Sequence, residues 1–150
     1  MTPAYDPLPL PADLLPHAFP FILVDRILML EPDRWVVTVK NVTRNDPLVD
    51  ASGNLPPALV AEVMAQSAGL AMTPPTAGGA TVLARLDRFR CRPPLRSGDQ
   101  LVVTVRVVRR LGSGAKVRIS ICVAGRYRAA GELVLYHVRG LGSTDAGGAS

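Results

Sequence analysis

The apolar and polar positions of this chain change period several times, and the changes mark out its elements. After Pro20 the residues turn aliphatic and β-branched: FILVDRILMLE (21–31) and RWVVTVKNVT (34–43), parted by Pro-Asp, predict two adjacent strands or a hairpin. NDPLVDASGNLPP (45–57) is dense in Asn, Asp, Gly and Pro and predicts a loop. From Pro57 to about Met72 strand alternation gives way to a run of apolar and small residues, which predicts a helix apolar nearly all round. Pro57 suits its first turn, where an N–H would have no helical partner, and TPPTAGG (73–79) stops it. Strands follow at 80–92, at 99–111 after RSGD, at 115–124 after GSG and at 127–138 after GR. Ahead of all these, the first 20 residues hold six of the 14 prolines. That density forbids a long helix or a central strand and leaves an extended arm with one short turn near Asp13–Leu15. The closing GLGSTDAGGAS (140–150) predicts a flexible tail.

Two strands, one hydrophobic helix and four more strands in 150 residues make one domain over 1–139, with the Pro-rich arm (1–20) before it and the tail after. A helix without a polar face must be wrapped on most sides, and a single curved antiparallel sheet does this. The expected class is α+β, with one long central helix wrapped by five to six antiparallel strands, the hotdog arrangement; another α+β sheet sandwich fits the same pattern. With 48% hydrophobic but only 5% aromatic residues, the core is expected to be Val, Leu, Ile and Ala. No apolar run reaches the ~18 residues a membrane-spanning helix needs, and the N-terminus lacks the basic and continuous apolar regions of a secretory signal. A cytoplasmic location without a membrane partner is the resulting expectation.

Charge adds a partner class. The net charge is +5, and the basic residues are mostly arginines gathered between Arg85 and Arg128, a surface that attracts acidic partners. There is no Lys/Arg run and no aromatic interleaving, so nucleic acid is not expected. Cys91 and Cys122 lack C-x-x-C or histidine spacing, which argues against a zinc site or a disulfide and for two small strand hydrophobes. The pair that stands out is Glu62 and Gln66, one helical turn apart on a helix that otherwise reads as buried, because an unpaired carboxylate is costly to bury.

Four segments, LPHAFPFILVDRILMLEP (15–32), VKNVTRNDP (39–47), AEVMAQSAGL (61–70) and RSGDQL (96–101), resemble in order and spacing the β-hydroxyacyl-acyl carrier protein dehydratases of the FabZ kind. The likeness runs over about residues 14–105. It implies a hotdog enzyme working as dimers, with active sites at the dimer interface, that removes water from a 3-hydroxyacyl thioester to give the trans-2-enoyl product. The thioester would be borne by an acyl carrier protein or coenzyme A, with no metal or organic cofactor. Such chemistry needs a base for the proton next to the carbonyl, an acid for the departing hydroxyl, and donors for the enolate-like oxygen. Glu62 falls on the family's acid and Gln66 on the glutamine of its Ala-Met-Ala-Gln motif, a substrate-binding position. Facing an apolar acyl tunnel, the Glu62 carboxyl would have a raised pKa and exchange a proton near neutral pH. Arg88, Arg90 and Arg92 fall in the family's basic stretch and are the implied dock for an acidic carrier; a solvated strand face is the alternative.

Departures from the family pattern are as informative. LVDASGNLPPALVAE (48–62) contains no histidine and is four residues shorter than the family's segment, so the base of the Gly-His-Phe-Pro-Gly loop is missing. Pro57 stands five before Glu62, where the family has a glycine that offers its N–H, and proline has none. DASGNLPPALVAEVMAQ (50–66) is similar to the divergent dehydratases of aryl polyene clusters, the ApeP-like branch. His17 becomes the candidate base, with fixing the arm as its alternative role, while His137 is expected exposed at the end of the last strand. The N–H of Gly53 or Ala58 would replace the missing donor; Asp50, Ser52 and Asn54 read as turn formers. Asp25 and Arg26 are expected to form a buried structural pair. The expected assembly is a homodimer or a hetero-oligomer with another hotdog subunit, and two other functions remain in view: a non-catalytic hotdog subunit that pairs with an active dehydratase, and an acyl thioesterase of the same fold.

Overall fold

Period-2 segments sort their side chains to two faces, and here they do so on either side of a single sheet. The computed structural model describes residues 8–17, 20–72 and 79–139. A short helix α1 (Pro11–Leu14) precedes strands β1 (Arg26–Glu31) and β2 (Trp35–Asn41), helix α2 (Pro57–Ala71), and strands β3 (Gly79–Cys91), β4 (Gln100–Leu111), β5 (Gly114–Val123) and β6 (Arg126–Arg139). The expected helix stop at 73–78 and the expected tail at 140–150 lie outside the described residues.

The six strands form one antiparallel sheet in the order β1-β2-β4-β5-β6-β3, the hotdog architecture. Helix α2 lies across its inner face. Val36, Val103, Val105, Ile119, Leu133 and Leu135 of the sheet, with Val60, Val63, Met64 and Ala68 of the helix, are each at most 2% exposed. Burying a Val, Leu or Ile side chain contributes about 1.5–3 kcal/mol, so this layer is the main favourable term. One polar tie crosses it: the Thr38 and Ser67 hydroxyls, both fully buried, lie 2.8 Å apart and fix the helix against β2.

Two stretches depart from simple alternation. The first strand was expected from Phe21, but β1 begins at Arg26. The reason is Gln66, whose side-chain amide bonds the Phe21 carbonyl and the Leu23 N–H and so draws this backbone to the helix instead of the ladder. In β3 the register slips between Leu83 and Arg85 and again between Asp87 and Arg90. These two bulges let Leu83, Leu86, Phe89 and Cys91 share the inner side at spacings strict alternation forbids. Asp25 and Arg26 do not form the expected buried pair: both are exposed, and the Asp25 carboxylate instead accepts the Asn41 N–H at 2.6 Å.

A buried ion pair ties the following loop to the sheet. Lys40 Nζ donates to Asp46 Oδ2 at 2.6 Å, with both side chains below 10% exposed, and Asp46 Oδ1 accepts the Leu48 N–H at 3.1 Å. Desolvation acts to raise the Asp46 pKa, but the bonds from Lys40 and Leu48 and the Lys40 charge outweigh it, and the carboxyl is held below its usual range. A carboxyl lowered in the folded state adds stability that is complete above its usual pKa and disappears as pH falls through the lowered value. Asp46→Asn should therefore cost about 3 kcal/mol at pH 7, because Lys40 keeps a buried charge without its partner. Wild type should lose stability below roughly pH 4, and the substitution should flatten that acid slope. Urea denaturation of both proteins at neutral and acid pH checks this.

Candidate active site

The site is built where the N-terminal arm meets the open side of α2. Val60, Val63, Met64, Ser67 and Ala68 point into the core, which turns the face bearing Ala58, Glu62, Ala65 and Gly69 away from it. The arm packs beside this face by burying Leu15, whose Cδ2 lies 3.8 Å from where a side chain at Gly69 would begin. Glycine at 69 thus lets the arm approach the helix closely. That contact delivers His17, whose Nε2 lies 3.4 Å from Glu62 Oε1, within one protomer. The two line a cavity of about 150 Å³ closed by Leu14, Ala65, Leu83 and Leu135.

Glu62 was expected to be buried, yet its side chain is 42% exposed. The difference follows from wrapping: the sheet covers one side of the helix, and among the described residues the arm covers the other only in part. Oε1 accepts the Gln66 amide at 3.0 Å and lies 3.4 Å from His17 Nε2. Oε2 carries no hydrogen bond among the described residues. His17 Nδ1 is buried without a hydrogen-bond partner among the described residues, which leaves Nε2 as the nitrogen that can exchange protons.

Gln66 ties this arrangement together. It is 2% exposed; Oε1 accepts the Leu23 N–H at 2.9 Å, and Nε2 donates to the Phe21 carbonyl at 2.6 Å and to Glu62. One donor and two acceptors around it fix which end of the amide is oxygen. Both amide hydrogens are thus engaged by protein groups, one of them by Glu62. The Gly53 N–H donates to the Asp50 carbonyl at 2.9 Å. Asp50 Oδ1 accepts the N–H groups of Ser52 and Asn54, each at 2.9 Å, so this loop is turn chemistry as expected. Ala58 is different: it sits in the first turn of α2, where N–H groups have no helical acceptor, and is exposed there.

The remaining expectations are placed as follows. Arg88 and Arg90 lie on the outer sheet face, opposite Glu62, and Arg92 lies beyond β3, its carbonyl accepting from Arg128. His137 is half-buried rather than exposed, its Nδ1 2.8 Å from the hydroxyl of Thr81, which lines the Glu62 cavity. Sequence carried no signal for that contact, because it depends on the β3–β6 register that sets Thr81 opposite His137. Among the described residues no His, Cys, Asp and Glu cluster could hold a metal ion, and no helix is long and apolar enough to cross a membrane.

A helix-in-sheet protomer with a glutamate and an imidazole meeting beside the helix is the frame of a hotdog dehydratase. Comparisons agree. The model of the ApeP-like family, described as ApeP dehydratase, matches residues 9–77. The 3-hydroxyacyl-[acyl-carrier-protein] dehydratase FabZ of Symbiobacterium thermophilum is 42% identical over 111 residues, covering 68% of this chain and 78% of that one. FabZ of Listeria welshimeri is 33% identical over 119 residues, covering 75% and 83%. Among solved structures, the dehydratase heterocomplex ApeI:P from Xenorhabdus doucetiae superposes with a TM-score of 0.78 at 21% identity, over 89% of this chain and 93% of that one. The chain belongs to the FabZ-like dehydratase family, and its first half, over residues 9–77, matches the ApeP-like model.

Gln66→Leu should break the arrangement from within. Losing the bonds to Phe21 and Leu23 leaves buried backbone groups unpaired, a cost of about 2–4 kcal/mol. Thermal denaturation should show the loss, and proteolysis near Phe21 should accelerate as the arm detaches.

Proposed function

We propose that this protein dehydrates 3-hydroxyacyl thioesters, with Glu62 as the acid and His17 as the base. The supporting observation is the 3.4 Å approach of His17 Nε2 to Glu62 Oε1 at one cavity, which returns an imidazole to the carboxyl although the family's loop histidine is gone. The reactive state has a protonated Glu62 carboxyl and a lone pair on Nε2. His17 takes the proton from the carbon next to the thioester carbonyl, and the electron pair left behind forms the new carbon–carbon double bond. The hydroxyl leaves from the neighbouring carbon with the Glu62 proton, as water. Imidazolium and carboxylate are then adjacent, and one proton passed from Nε2 to Glu62 resets the pair. The Ala58 N–H, one turn before Glu62, is the donor for the thioester oxygen in place of the glycine that Pro57 supplants. The acyl chain arrives on an acyl carrier protein or coenzyme A, within fatty-acid, polyketide or aryl polyene assembly.

A second reading draws on the open face of α2. Ala58, Ala65, Gly69 and the 43%-exposed Leu83 form a small-residue apolar surface around Glu62 that a second hotdog subunit would cover. That subunit is either another copy or a different dehydratase to which this chain lends structure; the ApeI:P neighbour is such a heterocomplex by its description.

Dehydration of 3-hydroxyacyl-carrier thioesters, followed by mass spectrometry, separates these readings. Glu62→Gln and His17→Ala should each lower turnover about 10²–10⁴-fold, the range of general acid–base contributions, with the fold intact. Freed carrier thiol in place of the enoyl thioester would identify a thioesterase. Absence of turnover by the purified wild type across several chain lengths would establish the partner-subunit reading instead.

A further inference from the structure

A cavity larger than the one beside Glu62 lies on the other side of the sheet. It is a trough of about 480 Å³ lined by Arg88, Arg90, Arg106, Arg118, Tyr127 and Glu132 over a floor of small residues. Cross-strand pairing explains its form. One row of facing residues, Trp35, Arg106, Arg118, Glu132 and Asp87, crosses the sheet from β2 to β3. The next row, Val37, Thr104, Ser120, Ala130 and Arg90, is mostly short. The short row is the floor, the charged row one wall, and Tyr127, 73% exposed, stands on the other side. With strands ~4.8 Å apart, the floor from Thr104 to Arg90 runs about 14 Å. The second bulge of β3 adds a further cation: Arg88, at φ 52°, reaches over the trough to Glu132.

The charge there is unbalanced. Arg106 and Arg118 face each other directly on β4 and β5, and like charges so placed repel. Glu132 cannot offset them all. Its Oε2 is bonded by Lys116 at 2.7 Å, while Oε1 is shared by Arg118 at 3.4 Å and Arg88 at 3.6 Å. Arg90 and Arg106 have no carboxylate partner among the described residues. Four guanidiniums therefore border a trough that holds one already engaged carboxylate.

We infer that this trough binds an organic polyphosphate of nucleotide size, its phosphates held by Arg106, Arg118 and Arg90 and a planar ring set against Tyr127. Guanidinium forks match phosphate oxygens, and an exposed tyrosine offers a stacking face with the Thr104 and Ser120 hydroxyls beside it for sugar-like oxygens. The volume suits a small molecule, since such sites run from about 300 to 1,000 Å³. A protein helix fits poorly. The walls stand four residues apart along the strands, about 13 Å between backbones before side chains narrow the gap, against the 10–12 Å a helix needs. The trough and Glu62 occupy opposite faces of the sheet, so this inference does not rest on the proposed reaction.

Isothermal titration at low ionic strength with ADP, pyrophosphate, adenosine and a glutamate-rich peptide tests it. ADP should bind saturably at one site, pyrophosphate more weakly and adenosine not at all. Arg106→Gln and Arg90→Gln should each weaken ADP binding at least tenfold without lowering the melting temperature, because neither arginine holds a carboxylate. Tyr127→Ala should weaken ADP but not pyrophosphate, and Glu62→Gln should change neither. The inference is overturned by a wild type that does not bind ADP saturably, or by arginine variants that bind it equally well. A peptide that binds more tightly than ADP and is lost in the arginine variants would overturn it in favour of an acidic protein dock.

Discussion

The buried amide of Gln66 is the constraint on which the candidate site depends. A primary amide in a protein interior must find acceptors for both hydrogens and a donor for its oxygen, and here these lie on two different parts of the chain. Two are the backbone groups of Phe21 and Leu23, and the third is the Glu62 carboxylate one helical turn away. Satisfying the amide therefore removes residues 21–24 from the sheet, seats the arm along the helix and orients Glu62. His17 reaches Glu62 because Leu15, two residues earlier, is buried beside Gly69 and Phe21, four residues later, is bonded to Gln66. Fold and site are here the same set of contacts.

A single sheet also imposes an asymmetry that divides the molecule's chemistry. Its inner face must be largely apolar to bury the helix, so most of the charge that the strands carry lies on the outer face, and Lys40, which falls on the buried side, is matched there by Asp46. The helix in turn has one covered side and one bare side, and small residues on the bare side let groups approach that larger ones would exclude. Glu62 stands on that side, half in solvent, while Arg88, Arg90, Arg106 and Arg118 stand behind the sheet. The proposed reaction and the proposed anion trough are separated by the hydrophobic layer that makes the protein stable.

Much of this was legible in the residues, for reasons that can be named. Strand positions followed from β-branched alternation between Gly, Pro and Asp turns, and the helix expected over 57–72 is observed as Pro57–Ala71. What failed to show was whatever depended on contacts distant in sequence. The 21–25 segment has strand composition, and only the Gln66 side chain, 43 residues from Leu23, takes it out of the ladder. The bulges of β3 leave no mark in a run such as ARLDRFRC, so the sides on which Arg88 and Phe89 fall could not be read. Glu62 looked buried because the helix is apolar nearly all round, and sequence does not say which of its sides the sheet covers. Gly53 was a reasonable donor by type, but whether its N–H faces inward to Asp50 is a matter of turn geometry alone.

The loss of the loop histidine bears on what a dehydratase site requires. General acid–base catalysis asks for a proton acceptor and a proton donor on the same pocket with suitable reach; it does not ask that either come from a given loop. The segment before α2 is too short here and too rich in turn bonds to bring a side chain back over Glu62, and Asp50 ties it to Ser52 and Asn54 instead. In the proposed reaction the arm meets the same need from the other side. It is rich in proline, which limits the conformations it must give up to lie along the helix, and two anchors flank the imidazole, the buried Leu15 side chain and the Phe21 carbonyl bonded to Gln66. A base held in this way is as well placed as one on a loop, and it has the further property that its partner acid is held by the same amide that holds the arm. Disturbing Gln66 would therefore move both groups together, which makes the acid–base pair one mechanical unit within the protomer.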